Sequence, residues 1–256
     1  MCSVVIAGAG PAGVATAARL IQCGVSARDI LILDRYRFPR EKPCGGGLTG
    51  HAAHIMAELD FRLDVAHVAS PAARVVFGGF EREVTLGQPV WVIRREDFDA
   101  SLVDQIRARG IEVAEGEGVE RFATDDSGVT VTTSRGRSIR AAVLVGADGA
   151  ASVVRKHLVA GKKAIPHRLF KMELSVPAKR AGDTAMVYDF SPMARGLRGY
   201  LWLFPVAGGR VNVGLMHYPA ASERRSGGEL VAMLRAELDR YGIELPARGA
   251  RGWPVW

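Results

Sequence analysis

Apolar positions change their period several times along the first 150 residues, and each change marks an element. Residues 3–7, Ser-Val-Val-Ile-Ala, form a short β-branched run of the kind that fills a buried parallel strand. Over 11–23 the spacing turns helical, with Val14, Ala17, Ala18 and Ile21 on one side and Gly24 where a helix C-cap is expected. A second apolar run, Ile30-Leu31-Ile32-Leu33, closes on Asp34. Together these segments predict a strand–helix–strand unit with a crossover of ordinary length.

Further on, residues 38–50 are rich in Pro and Gly and predict a loop, and 51–60 predict a helix. Alternation over 72–93 predicts antiparallel strands. An amphipathic helix is expected over 98–109, ahead of a strand at 111–114. Residues 128–133 and 138–145 predict a hairpin whose second arm runs into the turn Gly146-Ala147-Asp148-Gly149. In the remainder, 201–204 and 211–215 predict strands and 228–241 a helix. No internal repeat or low-complexity tract interrupts this order.

Composition narrows the class. With 48% hydrophobic and 24% charged residues, the chain has the make-up of a soluble globular protein rather than a disordered one. Cys2, Cys23 and Cys44 are too few and too irregular for a disulfide framework or a zinc site, which predicts reduced thiols and a cytoplasmic setting. No signal peptide is read at the start, and the longest mostly apolar stretch, 4–18, is shorter than the ~20 residues of a membrane span. His51 and His54 sit at i, i+3 with His67 following, but no Cys or acidic residue has ligand spacing around them, so no metal is expected. Gly-x-Ser-x-Gly is absent, which argues against a serine hydrolase.

Charge is uneven. Residues 1–150 hold 17 Lys+Arg and 19 Asp+Glu, a balance of −2; residues 151–256 hold 17 and 8, a balance of +9. The second part is therefore expected either to meet an anionic partner or to present a solvated arginine-rich surface. The anionic partners in view are a phosphorylated substrate, a nicotinamide dinucleotide phosphate and an acidic membrane surface. No nucleic-acid motif accompanies the charge, so nucleic acid is not expected.

Gly8-Ala9-Gly10-Pro11-Ala12-Gly13 matches GxGxxG between the first strand and the first helix, with Asp34 closing the next strand. Gly8 permits the tight turn, Gly10 lets backbone approach a pyrophosphate, and Gly13 lets the helix pack on the strand. The helix N-terminus offers amides and the positive end of its dipole to phosphate, while Asp34 can accept from a ribose. The expected fold is therefore a Rossmann-like, doubly wound α/β FAD/NAD(P)-binding fold with an inserted, mostly antiparallel β region. The expected domains are 1–70 with 91–160 for the nucleotide, and 71–90 with 161–256 for the substrate, the latter incomplete at its C-terminal end. The fingerprint alone does not separate NAD from FAD.

Two further segments do. Gly146-Ala147-Asp148-Gly149 with Ser152 and Arg155 resembles the second fingerprint of the flavoprotein hydroxylase superfamily. That resemblance implies contact of Asp148 and Gly149 with an FAD ribose or a pyridine nucleotide. Asp34-Arg35, then Phe38-Pro39-Arg40-Glu41-Lys42-Pro43-Cys44-Gly45-Gly46-Gly47, looks like the loop of the geranylgeranyl reductase family within that superfamily. Glycines there would let amides lie against a flavin ring or phosphate, with Arg40 and Lys42 supplying positive charge. Arg94-Arg95-Glu96-Asp97-Phe98-Asp99 resembles the family's R-x-x-F-D element, which would turn Arg95 to the cofactor, or else simply starts a helix with acidic residues in its first turn. Tyr200-Leu201-Trp202-Leu203-Phe204-Pro205 resembles the reductases' substrate-lining segment, so that Tyr200, Trp202, Phe204 and Pro205 become candidate substrate contacts; the same alternation also suits a half-buried core strand.

The resemblance implies FAD as cofactor, NADPH or NADH as reductant, an apolar isoprenoid substrate and peripheral membrane contact. Cys44 is a candidate proton donor, against a packing role beside the ring. The superfamily's third element, an apolar strand followed by G-D-A-A, has no match: Gly182-Asp183 lacks the strand before it. This chain is thus expected to be an N-terminal portion of a reductase or half of a split one, with a second chain supplying the rest. It should bind FAD weakly by itself and expose apolar surface. A flavin monooxygenase and a non-catalytic remnant are the alternative expectations.

Overall fold

In the computed structural model, the residues described are 3–159, 167–176, 182–220, 225–246 and 251–255; Cys2 lies outside them. The chain divides into two units, one of Met1–Glu41, Ile55–Asp64 and Glu96–Lys162, the other of Lys42–His54, Val65–Arg95 and Lys163–Trp256. Residues 42–54, 65–70 and 91–95, grouped by sequence with the nucleotide-binding part, thus cluster by contact with the second unit.

The first unit is built on four parallel strands in the order β10 (Val143–Gly146), β1 (Val4–Ala7), β2 (Ile30–Asp34) and β6 (Glu112–Glu115). Every residue of β2 is buried, as a strand covered on both faces requires. Val5, Leu31 and Leu33 pack on one side against Val129, Val131 and Ala141 of a three-stranded antiparallel sheet, β7 (Val119–Asp125), β8 (Gly128–Thr133) and β9 (Ser138–Ala141). Helix α1 (Pro11–Gln22) covers the Ile6 side, where Gly13 lets it approach. Its C-cap is Cys23, and Gly24 follows at φ 89°, the left-handed position expected for it.

The expected hairpin at 128–145 is corrected in its second arm. The chain leaves the small sheet after Ala141 and re-forms as β10 beside β1, so one apolar run serves two sheets. Likewise, the loop predicted over 38–50 gives way at β3 (Gly47–Leu48) and at the start of α2 (Gly50–Glu58).

The second unit is an eight-stranded sheet in the order β15 (Arg251–Val255), β11 (His167–Ser175), β14 (Arg210–His217), β13 (Gly199–Val206), β12 (Met186–Asp189), β4 (His67–Phe77), β5 (Phe80–Ile93) and β3. All its pairings are antiparallel except β12 with β4. One face buries Val76, Val187, Leu201, Leu203, Val213 and Leu215 under Leu230, Leu234 and Leu238 of α5 (Gly227–Arg240). A capping box starts that helix: Ser226 accepts from the Glu229 amide while the Glu229 carboxylate accepts from the Ser226 amide, which holds the carboxyl below its usual range. The other face carries Tyr188, Tyr200, Trp202 and Phe204.

Candidate functional site

In the first unit the GxGxxG turn is held by backbone against backbone. Gly8 has φ 103°, and a Cβ there would lie 2.3 Å from the Ala147 carbonyl oxygen. A Cβ on Gly13 would lie 1.8 Å from the Gly8 carbonyl oxygen. Neither position accepts a side chain. Gly10 is the N-cap of α1 and Pro11 its first residue; no side chain caps the helix, and its first turn has no acidic residue. Gly10 and Ala12 remain accessible, so the first amides are open to an anion.

Arg40 closes this turn. Its Nη2 lies 3.4 Å from where a Gly10 Cβ would be and 3.2 Å from the carboxylate of Asp99, which is fully buried on α3 (Arg95–Ala108). The guanidinium stacks over Phe38, 4.8 Å from the ring centroid, yet its Nε and Nη1 are buried with no hydrogen-bond partner. Two buried donors on a cation beside a bare helix N-terminus and a glycine cradle suit a phosphate.

The buried Asp34 ends β2. Its Oδ2 accepts from the Ala9 amide at 2.8 Å and its Oδ1 from the Tyr36 amide at 2.8 Å, which ties the second strand to the turn. A carboxylate offers about four acceptor directions, so two remain for sugar hydroxyls. These residues together fit the pyrophosphate and ribose of a dinucleotide.

Other residues picked out by sequence gather at the turn after β10. Asp148 turns its carboxylate to α4 (Val153–Leu158), accepting from the Ser152 hydroxyl and, at 2.6 Å, from the Val153 amide; here it organises a helix start. Arg35 is exposed and reaches the Asp148 carbonyl at 3.3 Å. Gly149 has φ 75°, as its turn requires.

The second unit gathers a separate cluster. Asn212 Nδ2 donates to the Cys44 carbonyl at 2.9 Å and to the Gly45 carbonyl at 3.2 Å, while its Oδ1 accepts from Trp202 Nε1 at 3.1 Å. One buried amide therefore fastens the glycine loop to the aromatic strand. A Cβ on Gly45 would meet Phe204 at 2.7 Å, and one on Gly46, at φ 87°, would meet the Ile93 carbonyl oxygen at 2.1 Å. The Gly46 amide also faces Cys44 Sγ at 3.4 Å. Lys42 and Arg95, both half-buried, belong to this unit as well.

Tyr200, Trp202 and Phe204 share a face and lie along it with tilted rings, Tyr200 to Trp202 at 6.3 Å and Trp202 to Phe204 at 6.5 Å between centroids. Pro205 does not join them, since strand alternation turns it to the opposite face with Leu201 and Leu203. Burial, with the nearby hydroxyls of Tyr218 and Tyr188, pushes the Tyr200 phenol up to about 12. It holds its proton at neutral pH and serves as a hydrogen-bond donor. Asn212 went unnoticed by sequence reasoning; the available signal was a lone amide in the apolar run Val-Asn-Val-Gly-Leu, where a buried polar group needs partners.

Similarity to known proteins accords with this geometry. The sequence pattern of the FAD binding domain family matches residues 1–256. A menaquinone reductase of Mycolicibacterium smegmatis is 31% identical over 83% of this chain and 54% of its own. A digeranylgeranylglycerophospholipid reductase of Methanosarcina mazei is 25% identical over 83% and 53%. A flavoprotein/dehydrogenase of Cytophaga hutchinsonii shares the fold at a TM-score of 0.78 and 20% identity, over 98% of this chain and 66% of its own. Monooxygenases and halogenases are also among the similar proteins. The chain spans about half the length of the curated relatives it matches. It belongs to the FAD binding domain family and has the α/β FAD-binding fold of flavoproteins.

Proposed function

We propose that this chain is the nucleotide-binding and substrate-facing portion of an FAD-dependent reductase that saturates carbon–carbon double bonds of an isoprenoid chain, with NAD(P)H as electron source. The observation that carries the cofactor part is Arg40, whose Nε and Nη1 are buried without partners beside the bare N-terminus of α1. When bound, FAD supplies a ring able to take hydride from a nicotinamide and give it to an alkene carbon. The residues of this chain bind and orient. The turn amides and Arg40 hold phosphate, Asp34 holds a ribose, and Asn212 fixes the Cys44–Gly45 backbone against Trp202. Tyr200 keeps a proton on its phenol oxygen within an aromatic face that suits an apolar chain. The names of two relatives, one a menaquinone reductase and one a lipid reductase, support the substrate class.

The test adds FAD to the purified protein and follows the flavin absorbance band, then supplies NADPH and a detergent-solubilised menaquinone under nitrogen. The expected result is a saturable band shift and product heavier by one hydrogen pair per double bond reduced. Arg40→Lys should weaken FAD binding about tenfold while keeping the ion pair to Asp99. A second reading is favoured by the relative named as a rifampicin monooxygenase: NADPH oxidation with oxygen uptake and a hydroxylated product would replace the reductase. Protein that stays colourless at saturating FAD would leave a non-catalytic role, or one requiring a second chain.

A further inference from the structure

The strand register carries the aromatic face of the second unit out to an uncovered end. Tyr188 stands opposite Trp202 on one side and Val75 on the other. Val75 pairs with Arg82, Ala73 with Val84, and Phe77 with Phe80 across the β4–β5 hairpin. Paired residues project to the same side of a sheet. Trp202, Tyr188, Val75, Phe77, Phe80 and Val84 therefore share one face, which crosses four strands, about 14 Å at the usual strand spacing.

Burial falls steadily along that face. Trp202 is buried and Tyr188 and Val75 are half-buried, whereas Phe77, Phe80 and Val84 are 49%, 63% and 49% exposed. The tip, Phe77-Gly78-Gly79-Phe80, presents two phenylalanines to water. It is anchored: the Gly78 amide donates to Ser191 Oγ at 3.1 Å and the Phe190 amide to the Val76 carbonyl at 2.8 Å. In the turn at Ser191–Arg195 that holds the tip, Met193 is 49% exposed. Exposed aromatic side chains in a contiguous patch mark a docking surface.

We infer that the outer face of the β4–β5 hairpin, led by Phe77 and Phe80, inserts into the surface of a lipid bilayer. The inference rests on the isoprenoid-reductase reading, because a bilayer is where so apolar a substrate resides and because the patch continues in register into the row proposed to receive it. Charge at the tip is nearly balanced. On the opposite face Arg74 pairs with Glu81 at 3.1 Å and Glu83 at 2.8 Å, which leaves Arg82 as the cation on the inserting side. Binding should therefore be driven by apolar insertion, with a gain of only about fivefold from anionic lipid. Among the described residues no helix is long and apolar enough to cross a membrane, so a prong of this kind would rest on the surface.

The test is flotation of the protein with vesicles of phosphatidylcholine, alone and mixed with phosphatidylglycerol. Wild type is expected to float with both. Phe77→Ser/Phe80→Ser should bind at least tenfold more weakly with an unchanged melting transition. In a second measurement Phe80→Trp should shift its emission to the blue on vesicles and be quenched by brominated phosphatidylcholine. Unaltered flotation of the double variant, or an unmoved tryptophan, overturns the inference. So does a wild-type dimer that the double variant abolishes without any vesicle binding, since the face would then meet a second copy. Reduction of menaquinone in detergent needs no bilayer, so failure of the reductase reading shows in that assay and failure of the docking surface shows in flotation.

Discussion

Gly13 and Gly45, one from each unit, face different neighbours. In the first, a Cβ on Gly13 would meet a carbonyl oxygen of the fingerprint turn at 1.8 Å, backbone on both sides of the collision. In the second, a Cβ on Gly45 would meet the Phe204 ring edge at 2.7 Å, and a ring can tilt. At Gly13 the obstacle is thus main chain that cannot move aside, whereas at Gly45 it is a side chain, Phe204, in the cluster that Asn212 and Trp202 hold against the loop. Gly13→Ala should therefore be the more damaging of the two changes, costing about 3 kcal/mol and abolishing FAD binding. Gly45→Ala should cost about 1 kcal/mol. Urea midpoints and FAD titration of the pair check this, and equal losses would erase the distinction.

Asp34 sharpens the first half of the comparison. Asp34→Ala leaves the Ala9 and Tyr36 amides without acceptors, so about 2 kcal/mol of stability should go, together with at least tenfold in FAD affinity. A variant that lost affinity at full stability would mean that the carboxylate serves the ligand alone. A variant that lost stability at full affinity would mean that it serves only the turn.

The two units also differed in how far their sequence disclosed them. The strand–turn–helix of the first was legible to within a residue or two, because a β-branched run, fixed glycines and a closing acid are all local signals. Strand β7 was not: in Val-Glu-Arg-Phe-Ala-Thr-Asp little is buried, and pairing with β8 holds it rather than its own pattern. The transfer from β9 to β10 was hidden because both halves are apolar, and a sheet switch leaves no change of period. Asp148 was legible as a residue of a turn but not in its orientation, which the Ser152 and Val153 contacts determine. In the second unit the alternation of Tyr200, Trp202 and Phe204 was plain, while their partner Asn212 lies 168 residues from Cys44, beyond the reach of any local pattern.

That long contact gives the next test. Asn212→Leu strips the Cys44 and Gly45 carbonyls and Trp202 Nε1 of their partners, so about 1.5 kcal/mol should be lost, with a changed Trp202 emission. Asn212→Asp keeps the acceptor for Trp202 but sets a buried carboxylate against the two carbonyl oxygens, and should lose more stability than Leu. Binding of AMP, which would engage the turn alone, should not change in either variant; a change would mean that the two clusters are energetically coupled.

The smallest effects are expected from pH, and they separate the units by sign. In the first, burial works against the charge on Glu117, but hydrogen bonds from the Thr133 hydroxyl and Arg137 outweigh it and hold the carboxyl below its ordinary value. A depressed carboxyl contributes stability above the unfolded pKa and loses it as pH falls through the folded one, so Glu117 weakens the protein in acid. In the second unit burial lifts the Tyr200 phenol from 10.0 to about 12. A raised group contributes fully below its unfolded pKa, and the contribution drains away between pH 10 and about 12 as the fold resists tyrosinate. Tyr200 is partly open to solvent, so screening should hold its effect to roughly 1 kcal/mol or less. Glu117→Gln should flatten only the acid limb of a plot of urea midpoint against pH, and Tyr200→Phe only the alkaline limb. Were Tyr200→Phe to leave the alkaline limb unchanged, the phenol would have to ionise as freely in the folded protein as in the unfolded chain, and burial in the aromatic face would not be what resists tyrosinate.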